Sequence, residues 1–216
     1  MQSKGIVLDL QKYFGASTPP ADTWADESRF GTDGVITGAT WVRQPSGLWE
    51  LDFTATPDYV EVTCPQCNFT SEDYSIVARI KFDNVSGFNE IFIRGLLGTD
   101  GFGFIVVAGQ LMGSTFQGGA SQYSRTPTTF LSAGTDYTLG MCRTGNSIRV
   151  FVNGVDETTI VGVHTDPLTS ARTAKIGVYD DKSTYPLDGQ ISFLRVYNRA
   201  LSAGEHLQIH NELVKL

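Results

Sequence analysis

Tyr74-Ser75-Ile76-Val77-Ala78-Arg79-Ile80-Lys81-Phe82 is the stretch on which the fold turns. Successive side chains of an extended strand point to opposite faces. Ile76, Ala78, Ile80 and Phe82 therefore share one face, while Arg79 and Lys81 lie on the other. The same period recurs at Ile148, Val150 and Val152, directly before Asn153-Gly154. That dipeptide suits a type I′ hairpin, because both central residues need positive φ. Further strands are predicted at Asp58–Val62, Glu90–Leu97, Phe102–Val107, Tyr137–Arg143, Lys175–Tyr179 and Gln190–Asn198, separated by Gly, Asp, Asn and Pro. Few gaps could hold a crossover helix, so the expectation is an all-β, two-sheet antiparallel sandwich.

At 216 residues, residues 1–216 are read as a single domain, within the usual size of a large β-sandwich. Hydrophobic residues at 41% supply a core, and charged residues at 18% are too few for disorder. A net charge of -7 without a basic run argues against a nucleic-acid partner, which needs clustered Lys and Arg. No stretch approaches the ~20 apolar residues of a membrane helix, so membrane insertion is not expected. Met1-Gln2-Ser3-Lys4 leads straight into strand-like Gly5–Leu10, without a cleavable signal. Either the chain is trimmed, or it reaches an extracellular surface or a virion without secretion.

Three cysteines cannot all pair. Cys64-Pro65-Gln66-Cys67 lacks the second ligand pair of a zinc site and the strand-to-helix setting of a redox motif, leaving free thiols or a local disulfide. The interval Gly113–Pro127, rich in Ser, Gly, Gln and Thr, reads as a loop, either lining a binding face or simply mobile. Ser202-Ala203-Gly204-Glu205 is a capping box. The short helix predicted after it offers Leu207, Ile209, Leu213, Val214 and Leu216 for contacts.

Leu187-Asp188-Gly189-Gln190-Ile191-Ser192-Phe193-Leu194-Arg195-Val196-Tyr197-Asn198-Arg199-Ala200-Leu201-Ser202 resembles the closing motif of laminin-G-like jelly rolls in the concanavalin A-like superfamily. Asp26–Gly34, Leu51-Asp52-Phe53, Asp58-Tyr59-Val60 and Val150-Phe151-Val152-Asn153-Gly154 resemble that family's earlier elements in the family's order, so the resemblance spans nearly the whole chain. It implies a jelly roll that binds ligands on rim loops or a concave face. It also implies one calcium, for which Asp26 matches the first carboxylate and Asp33 is a second oxygen donor. Ser192-Phe193 stands where the family has Asp-Glu, removing a carboxylate, so no cofactor is taken as required.

Glu50-Leu51-Asp52 resembles the start of a glucanase motif on the same fold. There, two carboxylates roughly 5–5.5 Å apart perform retaining hydrolysis. Thr54 and Ala55 stand where the third acid would be, so no enzyme is expected. His206 and His210 share a helix face that could chelate a metal, but no third ligand is apparent. For a sugar, aromatic rings stack on the pyranose while polar groups bond its hydroxyls. Trp24, Tyr123, Arg125, Asp180, Asp181 and Tyr185 lie in loop-like segments and are candidates, each also readable as plain surface.

The reading reached is a non-catalytic carbohydrate-binding or adhesion module displayed on a surface. The alternative is a structural protein of a virion, such as a phage decoration or fibre, or of another surface assembly, bound to protein partners. The remaining reading is a glycoside hydrolase. The partner is then a glycan or a protein, and oligomerisation is left open.

Overall fold

The computed structural model describes residues 4–10, 12–54 and 58–215. Its strands are β1 (Ile6–Leu10), β2 (Tyr13–Phe14), β3 (Thr23–Trp24), β4 (Gly34–Thr37), β5 (Thr40–Arg43), β6 (Leu48–Phe53), β7 (Tyr59–Val62), β8 (Tyr74–Phe82) and β9 (Phe88–Leu96). They continue as β10 (Asp100–Val107), β11 (Gln110–Gln117), β12 (Ala120–Arg125), β13 (Asp136–Thr144), β14 (Ser147–Val152), β15 (Val155–Asp156), β16 (Ala174–Ile176) and β17 (Gly189–Tyr197). One helix, α1 (Ala203–Leu213), follows them.

A nine-stranded sheet runs β15-β14-β13-β8-β17-β6-β2, with β1 on β17 and β5 on β6. An eight-stranded sheet runs β12-β11-β10-β9-β16-β7-β4-β3. Every strand pairing is antiparallel, as the jelly-roll expectation required.

The core lies between the sheets. Ile76, Ala78, Ile80 and Phe82 of β8 point inward, as their spacing predicts, toward Phe92, Phe102, Phe104, Val60 and Val62 from the other layer. The opposite face of β8 is less exposed than alternation alone suggests. Val77 is buried under α1 in a second cluster with Phe193, Tyr197, Leu201, Ile209 and Leu213.

The capping box forms: the Glu205 backbone N–H donates to Ser202 Oγ at 3.3 Å, and the Ser202 N–H donates to Glu205 Oε2 at 2.8 Å. Of the predicted helix contacts, Ile209 and Leu213 are buried, whereas Leu207 and Val214 face solvent. Leu216 lies outside the described residues.

Asn153 and Gly154 adopt φ of 52° and 81°, the positive pair a type I′ turn needs. A Cβ on Gly154 would lie 2.5 Å from Leu207 Cα, so glycine also lets the hairpin tip rest on α1. Cys64 and Cys67 form a local disulfide, while Cys142 is a buried free thiol.

The interval predicted as a loop is a correction. Most of Gly113–Pro127 belongs to the β11–β12 hairpin, Gln117 opposite Ala120. Its Ser, Thr and Gln residues are cross-strand neighbours whose hydroxyls and amides bond within the sheet, a role that composition does not reveal.

Candidate functional site

The outer face of the eight-stranded sheet carries three cross-strand rows. Phe88, Val107 and Gln110 form the first; Glu90, Ile105, Met112 and Arg125 the second; Ile93, Gly103, Ser114 and Tyr123 the third. Side chains in such rows stand side by side. Together they floor a groove of about 180 Å³, walled by Phe116, Tyr179 and Tyr185. Gly103 keeps the floor low, because a Cβ there would lie 3.0 Å from Ser114 Oγ and 3.2 Å from Phe116 Cζ.

The aromatic wall is held by backbone. Leu97 N–H donates to the Tyr179 hydroxyl at 2.8 Å, and Glu90 N–H donates to the Tyr185 carbonyl at 3.0 Å. Tyr185 sits at φ 54°, a conformation rare outside glycine that swings its ring onto Phe88, with centroids 4.4 Å apart and planes 23° apart. Tyr179 closes the corner, 5.3 Å from Tyr185 and tilted by 60°. At the far side, segment 157–173 pins β12: Arg125 N–H donates to the Ile160 carbonyl at 2.9 Å.

The groove has two polar ends. Glu90 is only 3% exposed, and its Oε1 has no hydrogen-bond partner. Burial alone pushes its carboxyl well above the ordinary carboxylate range, favouring the neutral acid. Arg125 stands at the other end of the same row, three strand spacings or about 14 Å away. Its Nη1 donates to Gln110 Oε1 at 3.5 Å, its Nε is buried without a partner, and it makes no salt bridge with a described carboxylate.

Three of the six sugar candidates thus meet: Tyr123, Arg125 and Tyr185 all line this groove. The others do not. Trp24 is a correction, being fully buried in β3 against Trp41, 5.7 Å between rings. Asp180 pairs with Arg172 and Lys175. Asp181 caps its own turn, accepting from Ser183 and Thr184 N–H at 2.9 and 2.8 Å. Sequence reasoning missed Glu90, Phe88 and Tyr179. Two of them lie on the edge of or inside predicted strands, where a polar or aromatic residue carries no mark of which face it takes.

Asp26 does not fit a calcium ligand. Its Oδ1 accepts from Asp9 and Ser28 N–H at 2.8 and 2.9 Å; its Oδ2 accepts from Thr32 N–H, Thr32 Oγ1 and Ser28 Oγ at 2.8, 3.0 and 2.8 Å. Burial alone would raise its carboxyl, but these bonds outweigh it and hold the group below its ordinary value. The oxygens that a cation would use are occupied by protein donors, and Asp33 Oδ1 accepts from Asp26 N–H at 2.8 Å.

Glu50 and Asp52 lie on β6, on the nine-stranded sheet away from the groove, and Asp52 Oδ1 accepts from Gln190 Nε2 at 2.5 Å. Ala55, beside the missing third acid, lies outside the described residues. His206 stacks on Phe151 at 3.8 Å, while His210 Nδ1 meets Thr138 Oγ1 at 3.0 Å. The two therefore serve separate structural contacts. His164 sits between Ser124 Oγ and Thr115 Oγ1, each at 2.9 Å, but all three residues are buried and no carboxylate orients the ring. They tie segment 157–173 to the sheet and form no catalytic triad.

A model of the Laminin_G_3 family, described as the concanavalin A-like lectin/glucanases superfamily, matches residues 54–205. The chain belongs to this superfamily. Among solved structures, this concanavalin A-like chain is similar to the botulinum neurotoxin serotype D binding domain, at TM-score 0.73 and 10% identity, over 98% of this chain and 53% of that one. It is similar to a structure of botulinum neurotoxin type C, whose cell entry is dependent upon interaction with two ganglioside molecules, at TM-score 0.69 and 12% identity, over 97% and 51%. It is similar to Trypanosoma rangeli sialidase at TM-score 0.67 and 18% identity, over 97% and 33%. The chain thus spans about half of the toxin structures and a third of the sialidase, and at such identities the likeness shows the fold alone. No curated protein matches.

Proposed function

We propose that this chain is a non-catalytic binding module that seats a carbohydrate in the groove on its eight-stranded sheet. The observation that carries the reading is the arrangement of the groove: aromatic rings of Phe88, Tyr123 and Tyr185 line it beside apolar Ile105 and Met112, with hydrogen-bonding groups at both ends. A pyranose presents an apolar face and a rim of hydroxyls, and this groove offers both complements. The ganglioside dependence of the type C toxin supports the reading by analogy of fold. Glycoside hydrolysis by the usual route needs a pair of carboxylates, and Glu90 is the one carboxylate among the described residues of the groove.

Glycan-array screening followed by calorimetric titration tests this. Tyr185→Ala and Tyr123→Ala should each weaken binding roughly ten-fold, the share expected of a stacked ring. Gly103→Leu should abolish binding by filling the floor. Uniformly flat array responses, or unchanged affinity in all three variants, would sink the reading.

A second reading, a virion or surface-assembly component with a protein partner, has its own support. Ile160, Val161 and Val163 are 45%, 48% and 75% exposed beside the β12 edge. Clustered exposed apolar residues mark protein contacts. Stoichiometric co-purification with a capsid or fibre protein, lost on Val163→Glu, would favour it over the glycan.

A further inference from the structure

Glu90 is a carboxyl without a counter-charge in a corner built of aromatic rings. Its backbone N–H donates to the Tyr185 carbonyl, and its side-chain Oε1 is buried without a donor. Leaving such a group unpaired is costly, and a protein that needed only packing here would carry a leucine. A hydroxyl ligand would satisfy one oxygen and leave the acid neutral. An ammonium ligand does more, since it pairs with the ionised carboxylate and meets the negative faces of the surrounding rings.

We propose that Glu90, with Phe88, Tyr179 and Tyr185, forms an ammonium subsite, so that the saccharide held in the groove carries a free, unacetylated amine. The inference rests on the carbohydrate reading and names the class of sugar. The charged groups around the corner allow it. From segment 177–188, Tyr179 and Tyr185 are neutral, and Asp180 is held by Arg172 and Lys175. On β16, Lys175 is also paired with Glu61 at 3.2 Å, so its charge is answered. On β10, Ile105 brings no charge. Arg125 stands three strands away. The net charge of -7 favours approach of a cation.

The proton balance gives the inference a signature beyond affinity. The amine arrives protonated, Glu90 loses its proton to solvent, and the new pair is carboxylate with ammonium. Protons are therefore released over the pH range in which the free acid still holds them, and affinity for the amine rises with pH there as long as the amine stays charged.

The test is calorimetry with glucosamine oligomers and their N-acetylated counterparts, at mildly acid pH and in two buffers of different ionisation enthalpy. The unacetylated oligomer is expected to bind roughly ten-fold tighter and to release protons that the acetylated one does not, as an ammonium-to-carboxylate and ring contact implies. Glu90→Gln is the neutral isostere of the protonated acid. It should abolish both the preference and the proton release, so that the two oligomers bind with equal affinity. Equal affinity for the two oligomers, or a preference that survives Glu90→Gln, overturns the subsite and leaves the carbohydrate reading standing. Failure of every oligomer and every arrayed glycan to bind overturns both. A lysine peptide that binds through Glu90 where amino sugars do not would overturn the saccharide assignment.

Discussion

Replacing Arg143 by methionine should lower the unfolding free energy by about 3 kcal/mol, close to the loss on removing one member of a buried polar set. The guanidinium is fully buried on β13. Its Nη1 donates to the carbonyls of Thr70 and Glu72 at 2.6 and 3.0 Å, and its Nη2 meets Asp166 at 2.5 Å. One side chain thus ties the entry to β8 and segment 157–173 to the nine-stranded sheet. Methionine fills most of the volume but leaves two carbonyls without donors. For a chain of this size the midpoint should drop by roughly 6–12 °C. Asp166→Asn is the control: that carboxylate is 60% exposed, so its loss should cost under about 1 kcal/mol. Urea unfolding of both variants checks the pair, and a loss below about 1 kcal/mol for Arg143→Met would refute the strut.

Acidification should destabilise the protein by forcing protons onto its buried histidines. His164 and His206 are 1% and 2% exposed, and burial holds each imidazole down to about 4, from 6.5. Above pH 6.5 both rings are neutral, folded or unfolded, and contribute nothing. As pH falls below 6.5 the unfolded chain takes up protons that the folded chain refuses, so stability drains until about pH 4. Each ring can remove up to about 3 kcal/mol across that window.

Glu90 works in the opposite sense. Its raised folded value penalises folding at neutral pH, and acidification relieves that penalty. Glu61 and Glu205 are held to about 2, by bonds to Lys182 and Thr173 that outweigh burial in the first and chiefly by Arg199 in the second. Their support is present above 4.5 and lost toward 2, below the histidine window. Calorimetric melting against pH should therefore show a first decline between 6.5 and about 4, shallower in His164→Gln. A flat melting temperature across that range would contradict it.

Much of the fold was legible because its signals are local. The alternation of Tyr74–Phe82, the positive-φ demand met by Asn153-Gly154 and the Ser202–Glu205 box each depend on a few neighbouring residues. The hidden parts depend on distance. The Gly113–Pro127 interval reads as loop because small polar residues dominate it, yet they are chosen for a floor that only neighbouring strands complete. Trp24 follows a turn-like run, and its burial comes from Trp41, on another strand. Tyr123, Arg125 and Tyr185 were legible as chemistry but not as a set. Glu90 was the hardest, since a glutamate at the head of a strand reads as solvated until a face is assigned.

The pairing of β1 with β17 places the first and last strands of the described residues side by side. Asn198 N–H donates to the Gly5 carbonyl at 2.8 Å, and α1 leaves from the same sheet. The groove opens on the opposite layer. Anything joined beyond either end, or any support to which they are tethered, would lie on the side away from the groove. Copies arrayed on such a support would all look outward, and weak single contacts could then add into strong attachment through effective concentration.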